Sequence, residues 1–306
     1  MLKFVGSILF KTNRMNTVTD LADEHQLISE LFKWPKSQDE WDQYRLTDEQ
    51  VDHFHEFGYL SGIQLLNEEQ VAVLRKELEE VRDPKHPAHE LFYEFHSNES
   101  EDPNSVLFHS LGHWRITSGF HDVIWNPAFA MAAHQLLENK PVRFWHDQLF
   151  CKPAKHGGVV AWHQDYSYWT RTIAMQHLTC WTGLDDASTE NGCLHYIPKS
   201  HKWGLLDAPE LAGDMNGLMA YLTEEQKAEF NPVPIELKKG FATFHHPLMV
   251  HGSYENKSER SRRAFVLNVF ADGTISNTND ELLKGVPHIP KGHKMEGKFF
   301  PLIYGN

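Results

Sequence analysis

Apolar side chains recur every three or four residues in the first half of the chain and in short runs in the second half, and this change of rhythm separates a helix-forming part from a strand-forming one. The first helical stripe is Val51, Phe54 and Phe57, preceded by Thr47 with Gln50 three residues on, and closed by Gly58. A hydroxyl and a glutamine at that spacing satisfy two otherwise free backbone amides, so a helix is predicted to start at Thr47 and to end at the glycine. Asn67 and Gln70 repeat the arrangement ahead of Val71, Leu74, Leu78 and Val81. A third helix is predicted after Asn126-Pro127, through Phe129, Met131 and Leu136 to Asn139, because proline suits a first helical turn. These stripes are read as core contacts.

From Val142 onward, runs rich in Val, Ile, Phe, Trp and Thr are divided by Gly, Pro and Asn, and strands are predicted over 142–152, 159–163, 173–181, 194–197, 233–237, 241–245 and 264–270. Helices followed by at least seven short strands imply an α+β chain, mainly β. Its strands are expected to form a two-sheet jelly roll, the cupin-like double-stranded β-helix, with the N-terminal helices packed on it. Residues 202–231, long and mixed with Gly204, Gly213 and Gly217, are expected to be an inserted lid over the open end. Residues 1–46 are read as a leader and connecting segment, with Trp34-Pro35 and Trp41 docking on the body. Residues 47–306 are read as one domain, helical over about 47–140 and jelly roll over about 142–306.

The net charge of −13 argues against a nucleic-acid groove or an anionic membrane surface as the main partner, since both reward clustered Lys and Arg. No apolar run reaches the length of a membrane span. Oligomeric state is left open. Cys151, Cys180 and Cys193 lie in apolar strand-like segments, are odd in number and lack Cys-x-x-Cys spacing, which fits reduced core thiols in an intracellular, cytoplasmic protein. The first 19 residues hold Lys3, Lys11 and Arg14 and no acid, a composition that also fits a mitochondrial presequence.

Against this background the stretch Ala161-Trp-His-Gln-Asp-Tyr166, followed far downstream by His251 and Arg262, carries a chemistry. Two histidines and one carboxylate can hold one face of a ferrous ion and leave the other open to a co-substrate and dioxygen. On an extended strand His163 and Asp165 leave the same face, while Gln164 points away. The second histidine must come from another strand, and chemistry alone does not choose among His245, His246 and His251. Downstream, Arg262 shares a strand face with Ala264, Val266 and Asn268, and Arg263 shares the other with Phe265 and Leu267. One of the two arginines can therefore point inward and pair bidentately with the distal carboxylate of 2-oxoglutarate, Ser253 donating a second hydrogen bond.

The segments Gln148-Leu-Phe-Cys-Lys-Pro153, Trp162-His-Gln-Asp165, Trp181, Asn191-Gly-Cys-Leu194, Ile197-Pro-Lys-Ser-His201 and His251-Gly-Ser253 with Arg262 resemble, in order and spacing, the phytanoyl-CoA dioxygenase superfamily, from about Thr47 to the C-terminus. The resemblance selects His251 over its neighbours and Arg262 over Arg263. It implies Fe(II) held by His163, Asp165 and His251, with 2-oxoglutarate and dioxygen as co-substrates, and Trp181 and Gln148 bordering the 2-oxoglutarate pocket. The implied activity is hydroxylation of a small molecule with release of succinate and CO2. Tyr166, Trp169 and the pair Trp114-Arg115 are candidates to line the substrate side. A catalytically silent cupin-like metal-binding protein would not need Arg262 beside three ligands, and a halogenase of the same superfamily would have a small residue where Asp165 stands.

Overall fold

The computed structural model describes residues 18–207 and 214–305. The predicted leader therefore lies outside the described residues up to position 17. Residues 18–46 dock on the body: Asp20 pairs with Arg115 at 2.6 Å, the amides of Ile28 and Ser29 donate to Asp122, and Trp41 meets Tyr304 edge-on. A short helix α1 (Gln38–Asp42) lies in this segment.

Helix α2 (Asp48–Phe57) has the predicted capping box between Thr47 and Gln50, and Gly58 ends it in the left-handed conformation, φ 86°. Strand β1 (Tyr59–Gln64) follows, then α3 (Glu68–Val81), capped by Asn67 and Gln70. Its stripe of Val71, Leu74, Leu78 and Val81 is fully buried, and each such side chain contributes about 1.5–3 kcal/mol. Strands β2 (Glu94–His96) and β3 (Phe108–Leu111) come before α4 (Ser118–Asp122) and α5 (Pro127–Leu136). Asn126 caps α5 with Pro127 in its first turn. The part expected to be helical thus supplies three strands as well. Its β1 and β2 and β3 are short, and their alternation is hidden by histidines and glycines that carry no strand signal.

The later strands are β4 (Val142–Lys152), β5 (Val160–His163), β6 (Thr172–Ile173), β7 (His177–Gly183), β8 (Leu194–Tyr196), β9 (Val233–Ile235), β10 (Phe241–His245), β11 (His251–Ser253), β12 (Arg262–Ala271), β13 (Ile275–Ser276) and β14 (Leu302–Tyr304), with α6 (Tyr166–Trp169) and α7 (Glu224–Glu229) between them. The run predicted over 173–181 is two strands: β6 pairs with β13 in a separate ribbon, and β7 starts four residues later inside the large sheet.

The large sheet has the order β1-β10-β7-β12-β4-β3-β2, with β14 also on β4, and the small one β5-β11-β8-β9; every pairing between named strands is antiparallel. Alternation along β12 explains the layering. Phe265 and Leu267 face outward and join Phe120, Phe129 and Phe244 under the helices, while Ala264 and Val266 face inward with Trp181, Leu194, Tyr196 and Met249. Cys151 and Cys180 sit in the first layer, Cys193 in the second, and all three are free thiols.

The segment read as a lid occupies a different place. Leu218 and Leu222 pack with Trp162, Ile197 and Val250 on the outer face of the small sheet, and Met215, Met219 and Phe230 join them. None of the described residues of 202–231 lines the central cavity; residues 208–213 lie outside the described set. No helix among the described residues is long and apolar enough to cross a membrane.

Candidate active site

His163 ends β5, and the chain turns at once into α6 with Asp165 already in the right-handed helical conformation. The two side chains therefore converge through a turn at the strand end, not through the shared face of one extended strand. His251 begins β11 and is registered directly opposite His163. Their ring centroids lie 4.2 Å apart, and donor atoms of His163, Asp165 and His251 all fall within 4.8 Å of one another, a group that could hold a metal ion.

The tautomers follow from the backbone. Nδ1 of His163 lies 2.7 Å from the carbonyl of Ala161, and Nδ1 of His251 lies 2.9 Å from that of Met249. A carbonyl only accepts, so each Nδ1 carries the proton and each Nε2 presents a lone pair. Both Nε2 atoms face Oδ1 of Asp165, at 3.5 and 3.6 Å. Its other oxygen, Oδ2, accepts from Thr179 Oγ1 at 2.6 Å and from His245 Nε2 at 3.0 Å. His245 is in turn held through Nδ1 by the hydroxyl of Tyr196 at 2.9 Å. Burial acts to raise the Asp165 carboxyl, but His251, His163 and His245 outweigh it and hold the group well below the usual carboxylate range. His251 itself is pushed well below the usual imidazole range by burial and by the neighbouring His163 and His245. His246, the other rival, is turned away onto His201. Gln164 also points away, bonded to Gly204, Leu206 and Leu248.

On the large sheet, Arg262 is registered on Lys152 across β12 and β4. The residue is 1% exposed, and its guanidinium lies 5.4 Å from the Trp181 ring, has no partner at Nε and makes no ion pair among the described residues. Burial pushes it down to about 10. Lys152, equally buried, donates to Ser253 Oγ at 2.6 Å and to the carbonyls of Ser253 and Tyr254. Burial first, and then the charge of Arg262, push its ammonium well below the usual lysine range. With Oγ of Ser253 accepting from Lys152, the hydroxyl proton of that serine is free to be donated elsewhere. Arg263 faces outward instead and pairs with Asp185 at 2.8 and 2.9 Å.

These groups share one cavity of about 290 Å³, lined by His163, Asp165, His251, Arg262, Ser253, Trp181 and Gln148, with Thr179, Trp169, Tyr168, Leu282 and Leu283 among the rest. Of the substrate-side candidates, Trp169 lines it. Tyr166 does not: its hydroxyl is spent on the carbonyl of Thr172. Trp114 and Arg115 do not either, Trp114 bonding Tyr93 in the helical layer and Arg115 pairing with Asp20. Missed altogether were Thr179, His245 as a holder of Asp165, and Lys152. The signal for Lys152 was available: a lysine in phase with Gln148 and Phe150 on a strand otherwise built for burial.

The sequence profile described as Phytanoyl-CoA dioxygenase (PhyH) matches residues 54–264. A "Phytanoyl-CoA dioxygenase" of Arabidopsis thaliana is 29% identical over 254 residues, covering 73% of this chain and 88% of that protein. The matches to several further relatives take in about half of those proteins' length. Among solved structures, the epimerase SnoN in complex with Fe3+, alpha ketoglutarate and nogalamycin RO is similar with a TM-score of 0.68 and 21% identity, over 84% of this chain and 98% of that one. EctD from S. alaskensis with 2-oxoglutarate and 5-hydroxyectoine is similar with a TM-score of 0.59 and 20% identity, over 81% and 83%. At these identities the structural likeness speaks for the fold, a mixed α/β chain with antiparallel sheets.

Proposed function

The chain belongs to the phytanoyl-CoA dioxygenase (PhyH) family, and from that premise we propose that it is an Fe(II)- and 2-oxoglutarate-dependent dioxygenase that hydroxylates a small molecule and releases succinate and CO2. The observation that carries this reading is Arg262, a buried cation without a counter-ion in the cavity that also holds the His163, Asp165 and His251 donors. An unpaired buried charge costs several kcal/mol, so a site that keeps one is shaped for an anion. Lys152 behind it is spent on Ser253 and Tyr254 and holds Ser253 Oγ in place beside the cavity, so the guanidinium of Arg262 is left to meet one carboxylate of 2-oxoglutarate.

In this reading His163, Asp165 and His251 hold the iron. Their donor set, two neutral imidazoles and one carboxylate, is the one that suits ferrous iron with open positions. When bound, Fe(II) with 2-oxoglutarate and dioxygen supplies the oxidising power for the C–H bond. The chain does the rest. Backbone carbonyls of Ala161 and Met249 aim the two imidazoles, and Thr179 and His245 fix Oδ2 of Asp165 so that Oδ1 is presented. Arg262 and Ser253 hold the distal carboxylate of the co-substrate, with Gln148 and Trp181 at its sides. Leu282, Leu283 and Trp169 contribute an apolar stretch of the lining that limits water at the reacting centre. The two sheets are read as the walls of a double-stranded β-helix, and residues 47–306 as one catalytic domain.

Anaerobic addition of Fe(II) and 2-oxoglutarate to the purified chain should give a weak visible charge-transfer band, and air with a suitable substrate should then yield succinate. Asp165→Ala should abolish both while leaving the fold intact. Near wild-type turnover in that variant would remove the metal assignment, and no consumption of 2-oxoglutarate under any condition would leave a silent binding protein.

A further inference from the structure

Arg262 puts positive charge at one end of the cavity, and the opposite sign gathers on the wall built by β2 and β3. His109 is registered on Phe150 and His96 on His109, so the cavity-facing positions are His109 and Leu111 on β3 and Glu94 and His96 on β2. Glu99 folds back onto the same wall, its Oε2 accepting from Nδ1 of His109 at 3.1 Å. That hydrogen bond is the main reason its carboxyl lies below the ordinary range and stays ionised, although the residue is half-buried. Glu94, Glu99 and His109 all line the cavity. Arg171, the second arginine that lines it, has its guanidinium taken up by the carbonyls of Glu281 and Leu282.

Two buried polar atoms of the cavity lining have no partner among the described residues: Nε2 of His109 on this wall, on a residue 5% exposed, and Nε1 of Trp145 on β4, on a residue 2% exposed. Because the carboxylate of Glu99 only accepts, Nδ1 of His109 carries a proton, and Nε2 of that ring is left without a partner inside the protein. The wall therefore offers two carboxylates and an unpartnered imidazole nitrogen to whatever lies against it, and the Trp145 donor is left for an oxygen of the same guest.

We infer that the substrate of this site carries a basic nitrogen, a protonated amine seated against Glu94, Glu99 and His109. The inference rests on the oxygenase reading for the fate of the molecule and on this wall alone for its binding. Between the two carboxylates stands His96, 3.9 Å from Glu94 and 3.7 Å from Glu99, both longer than a hydrogen bond. A protonated amine can donate to both carboxylates as a neutral hydroxyl, with its single proton, does not. A polyanionic thioester such as an acyl-CoA would meet like charge there, and 290 Å³ shared with 2-oxoglutarate leaves space for a small molecule.

The test uses hexylamine and hexanoate, matched in length and opposite in charge. Each is titrated by equilibrium dialysis into the full chain loaded anaerobically with Fe(II) and 2-oxoglutarate, and again into the unloaded chain. Hexylamine should bind at least tenfold more tightly than hexanoate. Glu94→Gln and Glu99→Gln should each cut the amine affinity about fivefold or more, and the charge-keeping Glu99→Asp should restore most of it. Equal affinity for the two probes, tighter binding of hexanoate, binding of neither, or a preference that survives both Gln substitutions would overturn the inference. Failure to bind 2-oxoglutarate in the same preparations counts against the oxygenase reading instead; in the unloaded chain, where hexanoate can also take the Arg262 seat, it is the loss of hexylamine affinity in Glu94→Gln and Glu99→Gln that is read independently of it.

Discussion

Single side chains at this site do separable jobs, and two adjacent arginines show it best. Arg262 is buried and lines the cavity that holds the donor cluster, whereas Arg263 lies on the other face and is locked to Asp185 and Glu79. Arg262→Gln removes a charge-assisted pair with the co-substrate, a loss of about 2–5 kcal/mol. At 1.4 kcal/mol per tenfold, the 2-oxoglutarate concentration needed for turnover should rise roughly thirtyfold or more. Arg263→Gln should leave that concentration unchanged and cost about 1–3 kcal/mol of stability, because it strips Asp185 of a bidentate partner. If Arg263→Gln weakens the co-substrate and Arg262→Gln does not, the inward face has been assigned to the wrong arginine. Thr179 is a third case: its hydroxyl donates to the far oxygen of Asp165. Thr179→Val keeps the shape and removes that hydrogen bond, and Fe(II) affinity measured by anaerobic competition with a chelator should fall about tenfold. Unchanged affinity would mean that His245 alone suffices to hold the carboxylate.

Among the elements, the short β11 carries more of the site than its length implies. It bears His251 and Ser253, pairs on one side with β5 and on the other with β8, and its neighbour segment supplies the carbonyl that Lys152 grips. The turn before β8 is built to admit that segment. Asn191 closes the turn by accepting from the amide of Ser188 and donating to the carbonyl of Asp186, and Gly192 takes φ 77° with the carbonyl of Tyr254 where a Cβ would lie 2.4 Å away. Backbone cannot yield as a side-chain tip does, so Gly192→Ala should destabilise the chain by about 2 kcal/mol or more and loosen Ser253 with it. A denaturant midpoint equal to wild type, together with unaltered 2-oxoglutarate affinity, would show that the turn tolerates displacement.

Taken as a whole, the molecule buries titratable rings in both of its layers. His146 and His177 inside, and His246 near α2, are each pushed down to about 3, in every case chiefly by burial. Their folded values lie below the unfolded value near 6.5, so the folded state resists their protons. The stability they lend is whole above about pH 6.5 and drains away as pH falls from there toward 3, at up to about 1.4 kcal/mol per pH unit for each ring. Urea midpoints should therefore drop steeply between pH 7.5 and pH 5.5, well before carboxylates such as Asp185 begin to protonate. A flat profile over that range would mean that these rings find partners or water in the folded state.

Much of this was legible in one dimension because it depends on local chemistry. Capping pairs at Thr47 and Asn67, the proline after Asn126, and the parity that sends Arg262 in and Arg263 out are set by residues a few positions apart. The grouping of His163 with Asp165 was visible too, although the reason differed: a turn into α6 brings them together where an extended strand was expected. Tertiary structure alone decided what joins these pieces across distance. It registered His251 on His163, placed Lys152 behind Ser253, turned His245 onto the back of Asp165, drew β2 and β3 out of the helical part to make an acidic wall, and laid the expected lid on the outer face of the small sheet. Pattern fixes which face of an element is apolar, since that follows from a period of two or 3.6 residues. Which other element covers that face depends on pairings between residues up to two hundred positions apart, and no local period encodes them.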